Sequence, residues 1–302
     1  MEKERCAATL ALDGVQDLVL SQTLDCGQCF RWEAQPDGSF SGQVFGGTAQ
    51  VRLEQGTLYI TDTACRPGAE QAQAARWRRY FDLELDYGKI RASLSRLHPV
   101  LKAATDYAPG IRILRQEPWE ALCSFILSQN SHIPRIKGMI HRLCALFGEQ
   151  NGGAHTFPRP EALALCTVED LTPIRSGFRA KYLLDAAQKV AGGQIDLQAV
   201  SVMELEQARQ VCMQIRGVGP KVADCTLLYG MHRLECFPMD VWMKRAMETL
   251  LPGMHPSDFG EYAGIAQQYI FHYSRTHPAL FTQATAGAAV RHLAQGPGDG
   301  VP

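Results

Sequence analysis

The chain has 302 residues, of which 46% are apolar and 20% are charged, and its formal net charge is −1. This composition is ordinary for a globular protein, and the length allows one large domain or two to three smaller ones. No apolar run is long enough to cross a bilayer, and residues 1–14 lack a signal-peptide pattern, so we expect an intracellular protein with no membrane partner.

The first third of the chain predicts an antiparallel sheet over residues 8–64. Residues 36–38 (PDG) are typical of a turn, and residues 51–53 and 58–60 alternate like the two strands of a hairpin with one buried face. Residues 68–82 have the pattern of a helix. The start of the chain is therefore interpreted as a sheet with flanking helices.

From about residue 88 the apolar residues recur with the period of helices. Pro118 suits a first helical turn, and Ile136, Ile140 and Leu143 lie on one stripe of a second helix. Further helices are predicted at 160–166, 168–174, 179–191, 202–213, 220–230, 241–251 and 258–276. The predicted fold class is α+β: an N-terminal antiparallel sheet domain (1–105), a helical domain (106–284) and a disordered tail (285–302).

The ten cysteines mostly lie inside apolar segments, which predicts reduced, buried thiols rather than a disulfide framework. One CxxC motif occurs at residues 26–29. No second pair of ligands follows at a spacing that zinc requires, so we predict no metal site.

Residues 217–221 (GVGPK) join two predicted helices. The two glycines permit tight backbone geometry, and Pro220 suits the first turn of the following helix. A hairpin of this kind points its amide groups outward at a helix N-terminus, where they can bind a phosphate without sequence preference. The same residues are also compatible with a turn that binds nothing. Because such amides can hold DNA, the near-zero net charge does not exclude a nucleic-acid partner.

Lys221 is placed in the first turn of the second helix, at an end that favours anions rather than cations. The helix dipole and partial burial there favour the neutral amine, which can act as a nucleophile and form a Schiff base. Asp240 precedes the next predicted helix and is expected to cap it. A carboxylate held near the hairpin could also stabilise positive charge on a sugar.

Residues 217–221 followed by residues 238–241 (PMDV) resemble the motif of helix-hairpin-helix DNA glycosylases, including its aspartate. Within that superfamily, several segments are similar to 8-oxoguanine DNA glycosylases, and the similarity runs in order over residues 10–277. These segments are residues 27–32 (GQCFRW), 110–116 (GIRILRQ) continuing to 124–126 (SFI), 221–225 (KVADC) and 262–267 (YAGIAQ).

The resemblance implies a bifunctional DNA glycosylase and AP lyase that works in base excision repair as a monomer on duplex DNA containing 8-oxoguanine, with no cofactor and no metal. Lys221 would attack the sugar of a flipped nucleotide, and Asp240 would support the cationic sugar. The Gly27 carbonyl would accept the N7–H that 8-oxoguanine has and guanine lacks.

The resemblance implies three further groups of contacts. These are base binding by Gly27, Cys225, Gln267 and Phe271, phosphate binding by Gly217, Gly219, Val222 and Trp242, and opposite-base contact or wedging by Asn130, Arg135, Phe178 and Arg179. Taken alone, each residue also has an ordinary structural interpretation, such as a core aromatic for Phe271 or a small buried apolar residue for Cys225.

Four residues differ from the familiar family pattern. Ser131 and His132 replace asparagines, Trp242 replaces a histidine that touches phosphate, and Phe178 replaces a tyrosine. These differences leave the preference for the opposite base open. Two other functions also remain: a monofunctional glycosylase for other lesions, against which Lys221 argues, and a DNA-binding module without catalysis, against which the pairing of Lys221 with Asp240 argues.

Overall fold

The computed structural model describes residues 8–64, 68–151 and 154–281. Within them an antiparallel sheet is followed by a helical region, which confirms the predicted fold class. The predicted tail, 285–302, lies outside the described residues. None of the helices in the described ranges is long and apolar enough to span a membrane.

The N-terminal sheet has five strands in the order β1-β5-β4-β3-β2, and every neighbouring pair is antiparallel. The predicted hairpin is confirmed, because Val51 pairs with Ile60 and a two-residue turn follows with φ values of 48° at Gln55 and 81° at Gly56. The strands are β1 (Ala8–Leu12), β2 (Trp32–Ala34), β3 (Phe40–Val44), β4 (Gly47–Glu54) and β5 (Thr57–Asp62).

The sheet buries one face against the predicted helix α2 (Glu70–Tyr80). Along β5 every second residue is buried, as expected for a strand with one face in the core. Trp77 of α2 is fully buried among these residues, and its indole N–H donates to a carboxylate oxygen of Asp62 at 3.1 Å. Trp77 also packs edge-on against Trp32 of β2, with ring centres 6.4 Å apart, and the loop that carries Gly27 runs from the short helix α1 (Leu20–Leu24) to β2.

The helical region follows the predicted order, and a short pair of strands, β6 (Gln150–Asn151) and β7 (Ala154–His155), interrupts it. Its helices are α3 (Tyr87–Leu94), α4 (Pro99–Tyr107), α5 (Pro118–Ser128), α6 (Ile133–Phe147), α7 (Pro160–Ala164), α8 (Ala180–Ala191), α9 (Leu197–Ser201), α10 (Leu205–Met213), α11 (Pro220–Met231), α12 (Val241–Leu250) and α13 (Ala263–Thr276).

Three of the predicted helices were wrong in detail. The helix predicted at 168–174 is a turn that ends in a 3-10 segment, because Pro173 lacks the N–H that an α-helix needs. The helix predicted at 202–213 starts only at Leu205, and α9 precedes it, capped by the Asp196 carboxylate. The helix predicted at 258–276 begins as a 3-10 segment, which Gly260 interrupts with a φ of 60°.

The buried residues of α3 and α4 pack into the same core as the later helices, and this core is separate from that of the sheet. A boundary near residue 105 between the two predicted domains stays a prediction.

A buried carboxylate connects the sheet region to the end of α11. Asp82 accepts hydrogen bonds from the Arg115 guanidinium at 2.7 and 3.0 Å, from the Tyr87 hydroxyl at 3.1 Å and from His232 at 2.9 Å. Burial acts to raise the pKa of Asp82, but the hydrogen bonds and charges of His232 and Arg115 outweigh it and hold the pKa below its usual range. The carboxylate therefore stabilises the attachment of α11, whose other end carries Lys221.

Candidate active site

A cavity of about 360 Å³ opens between the Gly27 loop and helices α5, α6, α11, α12 and α13. Its volume is in the range of small-ligand pockets. It brings together the two predicted catalytic residues, all four predicted base-binding residues and one predicted phosphate contact. These are Lys221 and Asp240, then Gly27, Cys225, Gln267 and Phe271, and finally Trp242.

The Gly27 loop comes close to the opposite wall of this cavity. Gly27 has a φ of 92°, a region that favours glycine. A Cβ at this position would lie 3.4 Å from Cδ1 of Ile133 and 3.6 Å from Cε1 of Phe271. The backbone at residue 27 is therefore close enough for its carbonyl to face a ligand that packs on Phe271.

Two buried glutamines hold this loop in place. The Gln28 side chain donates to the carbonyls of Thr23 at 2.9 Å and Arg112 at 2.7 Å, and it accepts from the Leu114 amide at 2.9 Å. Gln268 of α13 donates to the Cys26 carbonyl at 3.2 Å. The backbone on both sides of Gly27 is thus fixed by hydrogen bonds, which preorganises the loop.

Lys221 lies in the first turn of α11 and its amine faces the cavity. The Nζ atom donates to Oγ of Ser128 at 3.3 Å and lies 5.2 Å from the centre of the Phe125 ring. None of the ion pairs between described residues involves Lys221. An amine without a carboxylate partner keeps its lone pair available for attack once it has lost a proton.

The Cys225 thiol lies one helical turn after Lys221 and lines the same cavity. Burial raises the pKa of Cys225 to about 11, although the positive charge of Lys221 acts to lower it. Cys225 is therefore a neutral thiol, and it presents an apolar, polarisable surface to the cavity.

Asp240 is the N-cap of α12, as the sequence predicted. One of its carboxylate oxygens accepts from the Met243 amide at 2.7 Å. The capping bond fixes the orientation of the carboxylate on the cavity wall. No lysine or arginine among the described residues lies within ion-pair distance of it. Its negative charge is therefore available to positive charge that develops in the cavity.

Gln267 is nearly buried and makes only long hydrogen bonds. Its amide donates to the Pro238 carbonyl at 3.3 Å. Its carbonyl lies 3.4 Å from the Tyr229 hydroxyl, whose single proton is donated to Gln268 at 2.6 Å. These distances are near the limit for a hydrogen bond, so the amide can pair with a ligand at small cost. It extends from α13 together with Phe271, one turn further along the same helix.

The predicted phosphate contacts lie at the start of α11, outside the cavity lining: Gly217 and Gly219 are in the hairpin before the helix, and Val222 is in its first turn. The first intrahelical bond runs from the Ala223 amide to the Gly219 carbonyl at 3.0 Å. The amides that precede it, including that of Val222, have no helical partner. This is the helix-terminus arrangement that binds anions.

Phe178 is 50% exposed on a 3-10 segment, as a wedge would be. Arg179 beside it is only 2% exposed, and its guanidinium donates to the carbonyls of Gln129, Asn130 and Ser176. Contact between Arg179 and an opposite base would require the side chain to leave those carbonyls. In this structure Arg179 supports the loop after α5, where Asn130 is exposed with a φ of 46°.

Arg135, the remaining predicted opposite-base contact, is exposed at the start of α6. Asn130 and Phe178 are exposed as well, and neither is part of the cavity lining. These residues are therefore accessible to a partner that covers the outside of the cavity.

The Trp242 indole N–H donates to Oγ of Ser274 at 2.8 Å. A phosphate contact through this N–H would require that bond to break. Ser128, Tyr229 and Arg275 also line the cavity, and none of them was predicted from the sequence as a site residue. Arg275 could have been found from its spacing, because it lies four residues after Phe271 on one face of a helix.

The described residues contain no group of three histidine, cysteine or acidic side chains placed to hold a metal ion. The thiols of the CxxC motif are buried, and burial raises the pKa of Cys26 to about 12 and that of Cys29 well above its usual value. Thiols in this state are poor sources of the thiolate that zinc requires.

Comparison with protein families finds two adjoining matches. Residues 12–122 match the family described as "8-oxoguanine DNA glycosylase, N-terminal domain". Residues 123–255 match the family described as "HhH-GPD superfamily base excision DNA repair protein".

Among curated relatives, the chain is 30% identical over 260 residues to a "Probable N-glycosylase/DNA lyase" of Methanothermobacter thermautotrophicus, covering 75% of this chain and 82% of that protein. It is 32% identical over 254 residues to an "N-glycosylase/DNA lyase" of Saccharomyces cerevisiae, covering 76% of this chain and 67% of that protein. Among solved structures, the 8-oxoguanine glycosylase/lyase of Clostridium acetobutylicum, in complex with duplex DNA with cytosine opposite 8-oxoguanine, is 34% identical with a TM-score of 0.81, covering 92% of this chain and 98% of that one.

Proposed function

The chain belongs to the N-glycosylase/DNA lyase family, with an 8-oxoguanine DNA glycosylase N-terminal domain and an HhH-GPD domain, and we propose that its cavity receives an 8-oxoguanine flipped out of duplex DNA. Base excision repair by glycosylase and lyase steps is the activity of this family. The observation that carries the assignment of residues is the amine of Lys221, which has no carboxylate partner among the described residues and faces the same cavity as the Gly27 loop and Asp240.

Flipping the nucleotide is required because the bond to be broken is out of reach inside the base stack. The Nζ atom of Lys221 attacks C1′ of the sugar, and the bond from C1′ to the base breaks. The base leaves with the electron pair and takes up a proton. Loss of the amine protons and opening of the sugar ring give a Schiff base, and β-elimination then expels the 3′ phosphate and nicks the strand.

Asp240 stabilises the positive charge that the sugar carries while its bond to the base breaks. Its orientation comes from the cap that it forms on α12, because the Met243 amide holds one carboxylate oxygen at 2.7 Å. A preoriented charge stabilises a transition state without reorganisation during the reaction.

Recognition of the base is assigned to the Gly27 carbonyl, Gln267 and the walls formed by Phe271 and Cys225. The carbonyl accepts the N7–H of 8-oxoguanine, whereas guanine presents an acceptor there and leaves two acceptors facing each other. Gln267 pairs with the Watson–Crick edge of the base, since its long hydrogen bond to Pro238 is easily exchanged and the Tyr229 hydroxyl near its carbonyl donates to Gln268 instead. The glutamines that fix the Gly27 loop keep the discriminating carbonyl in place.

The remaining contacts hold the duplex outside the cavity. The amides of Gly217, Gly219 and Val222 bind a phosphate at the N-terminus of α11, and Phe178 fills the gap that the flipped base leaves. Contact with the opposite base is assigned to the exposed Asn130 and Arg135. Arg179 supports the loop that carries Asn130, and it could reach the base itself only by leaving the carbonyls that it now binds. We propose that the protein acts as an intracellular monomer, on the DNA of its own cell, and that it needs neither a cofactor nor a metal.

Trapping with sodium borohydride tests this assignment. A duplex with 8-oxoguanine opposite cytosine should give a covalent adduct with the wild-type protein, and Lys221→Gln should give none. Lys244→Gln is the matched control, because Lys244 is an exposed lysine of α12 outside the cavity lining, and it should trap normally. An adduct that survives Lys221→Gln would refute the role of Lys221. Base release without any adduct would instead favour the monofunctional alternative.

A further inference from the structure

The Trp242 N–H is not free to bind a phosphate of the DNA backbone. The indole N–H donates to Oγ of Ser274 at 2.8 Å, and the Ser274 hydroxyl donates in turn to the Phe271 carbonyl at 3.2 Å. Ser274 is fully buried, so breaking the first bond would leave a polar atom without a partner. The Trp242 N–H therefore ties α12 to α13.

Arg275 follows Ser274 in the chain and lines the same cavity. Its guanidinium carbon lies 5.2 Å from the centre of the Phe271 ring, and Nη1 lies 3.7 Å from where a Cβ of Gly27 would be. The residue is exposed, and no carboxylate of the described residues lies within ion-pair distance of it. The charge is therefore positioned by an aromatic ring and left without an internal counter-ion.

The positive charge of Arg275 can offset electrostatic repulsion between the protein and DNA. Asp240 is a carboxylate on the cavity wall, and it would repel a phosphate brought to the mouth with the flipped nucleotide. The whole chain has a net charge of −1, so its overall field does not attract DNA. A cation at the rim offsets this repulsion locally, and a guanidinium can bind two phosphate oxygens at once.

We propose that Arg275 binds a phosphate flanking the flipped nucleotide, in the strand that carries the lesion. The proposal rests on the proposed function, since only a flipped nucleotide brings its phosphate to the mouth of this cavity. Stacking on Phe271 limits the freedom of the guanidinium before DNA arrives, which lowers the entropy lost on binding. Arg275 is thus a DNA-binding residue, and it also stabilises the orientation of the ring that packs on the base.

The test is the salt dependence of binding to a duplex carrying a stable abasic-site analogue, which needs no catalysis. Each phosphate contact to B-DNA contributes a slope of about 0.9 in the plot of log affinity against log salt concentration. Arg275→Ala should weaken binding by on the order of tenfold at low salt and reduce the slope by about 0.9, whereas Arg275→Lys should keep the slope. Arg79→Ala, at an exposed arginine of α2 outside this cavity, is the matched control and should leave the slope unchanged.

An unchanged slope in Arg275→Ala would overturn the proposal. The proposal would also be overturned if Arg275→Ala kept the slope and lost only its selectivity for 8-oxoguanine over guanine, because the guanidinium would then contact the base rather than a phosphate. The proposed function is tested separately, by borohydride trapping of the wild-type protein. A failure there leaves the slope measurement interpretable, since the abasic analogue reports binding alone.

Discussion

The two glycines of the hairpin should respond differently to the same substitution. Gly217 has a φ of 77°, and a Cβ there would lie 2.3 Å from the Tyr182 ring. Gly219 has a φ of −100°, which any residue adopts, and a Cβ there would meet nothing within 4 Å. The protein itself thus needs a glycine at 217, whereas at 219 only a bound molecule would exclude a methyl group.

The expected magnitudes follow from these contacts. Gly217→Ala costs about 1–2 kcal/mol for the left-handed backbone and about 1–3 kcal/mol for the overlap with Tyr182, so unfolding should become easier by about 2–5 kcal/mol. Gly219→Ala should change stability by less than about 1 kcal/mol, because the weaker N-cap and the stiffer unfolded chain nearly cancel. Its DNA affinity should fall by about 10- to 100-fold, since the methyl group blocks an amide contact with phosphate.

Urea unfolding and binding to a short duplex with an abasic-site analogue separate the two effects. The expected pattern is a less stable protein for Gly217→Ala, and a stable protein with weak binding for Gly219→Ala. Wild-type affinity in Gly219→Ala would refute the phosphate contact at the hairpin. Wild-type stability in Gly217→Ala would show that the Tyr182 ring can move aside at little cost, and would refute the expected overlap between the methyl group and that ring.

Three further predictions concern the cavity and its support. Asp240→Asn should lower the single-turnover rate of base release at least 100-fold. The free energy of unfolding in urea should change by about 1 kcal/mol or less, because an asparagine still caps the Met243 amide. Near-normal base release would exclude electrostatic support of the sugar by Asp240. Gly27→Ala should reduce the ratio of excision rates for 8-oxoguanine and guanine, since alanine strains a backbone with a φ of 92°; an unchanged ratio would remove the carbonyl from recognition. Asp82→Asn should destabilise the protein at pH 7 by about 1.5–3 kcal/mol, because it removes the charge that accepts two hydrogen bonds from the Arg115 guanidinium. The folded-state pKa of Asp82 lies below the ordinary 3.8, so the stabilisation by its carboxylate is present above pH 3.8 and is lost as the pH falls through the folded-state pKa. In urea unfolding, the difference in free energy of unfolding between the wild type and Asp82→Asn should therefore become smaller below pH 3.8. A difference that stays constant with pH would contradict this prediction.

Local patterns in the sequence determined much of the fold. Alternation of apolar residues over a two-residue turn is enough to predict the hairpin of β4 and β5, because side chains alternate between the faces of a strand. Glycine and proline at residues 217–220 predict the joint before α11, since those residues suit few other backbone conformations. The predictions at 168–174 and 202–213 were wrong because they followed the helical period alone. Pro173 and the cap at Asp196 are local signals that act against that period.

The sequence by itself also indicated Lys221, Asp240 and their chemistry through a short motif and its resemblance to a family. Only the tertiary structure decided what these side chains face, since the cavity is built from a loop of the sheet region and helices that lie far apart in the chain. Whether a donor is free depends on its neighbours in space: the Trp242 N–H is occupied by Ser274, while Arg275 keeps an unpaired charge. Hydrogen bonds between distant segments leave no periodic signal in a single sequence. For this reason the proposal of Arg275 as a DNA contact, in place of Trp242, required the tertiary structure.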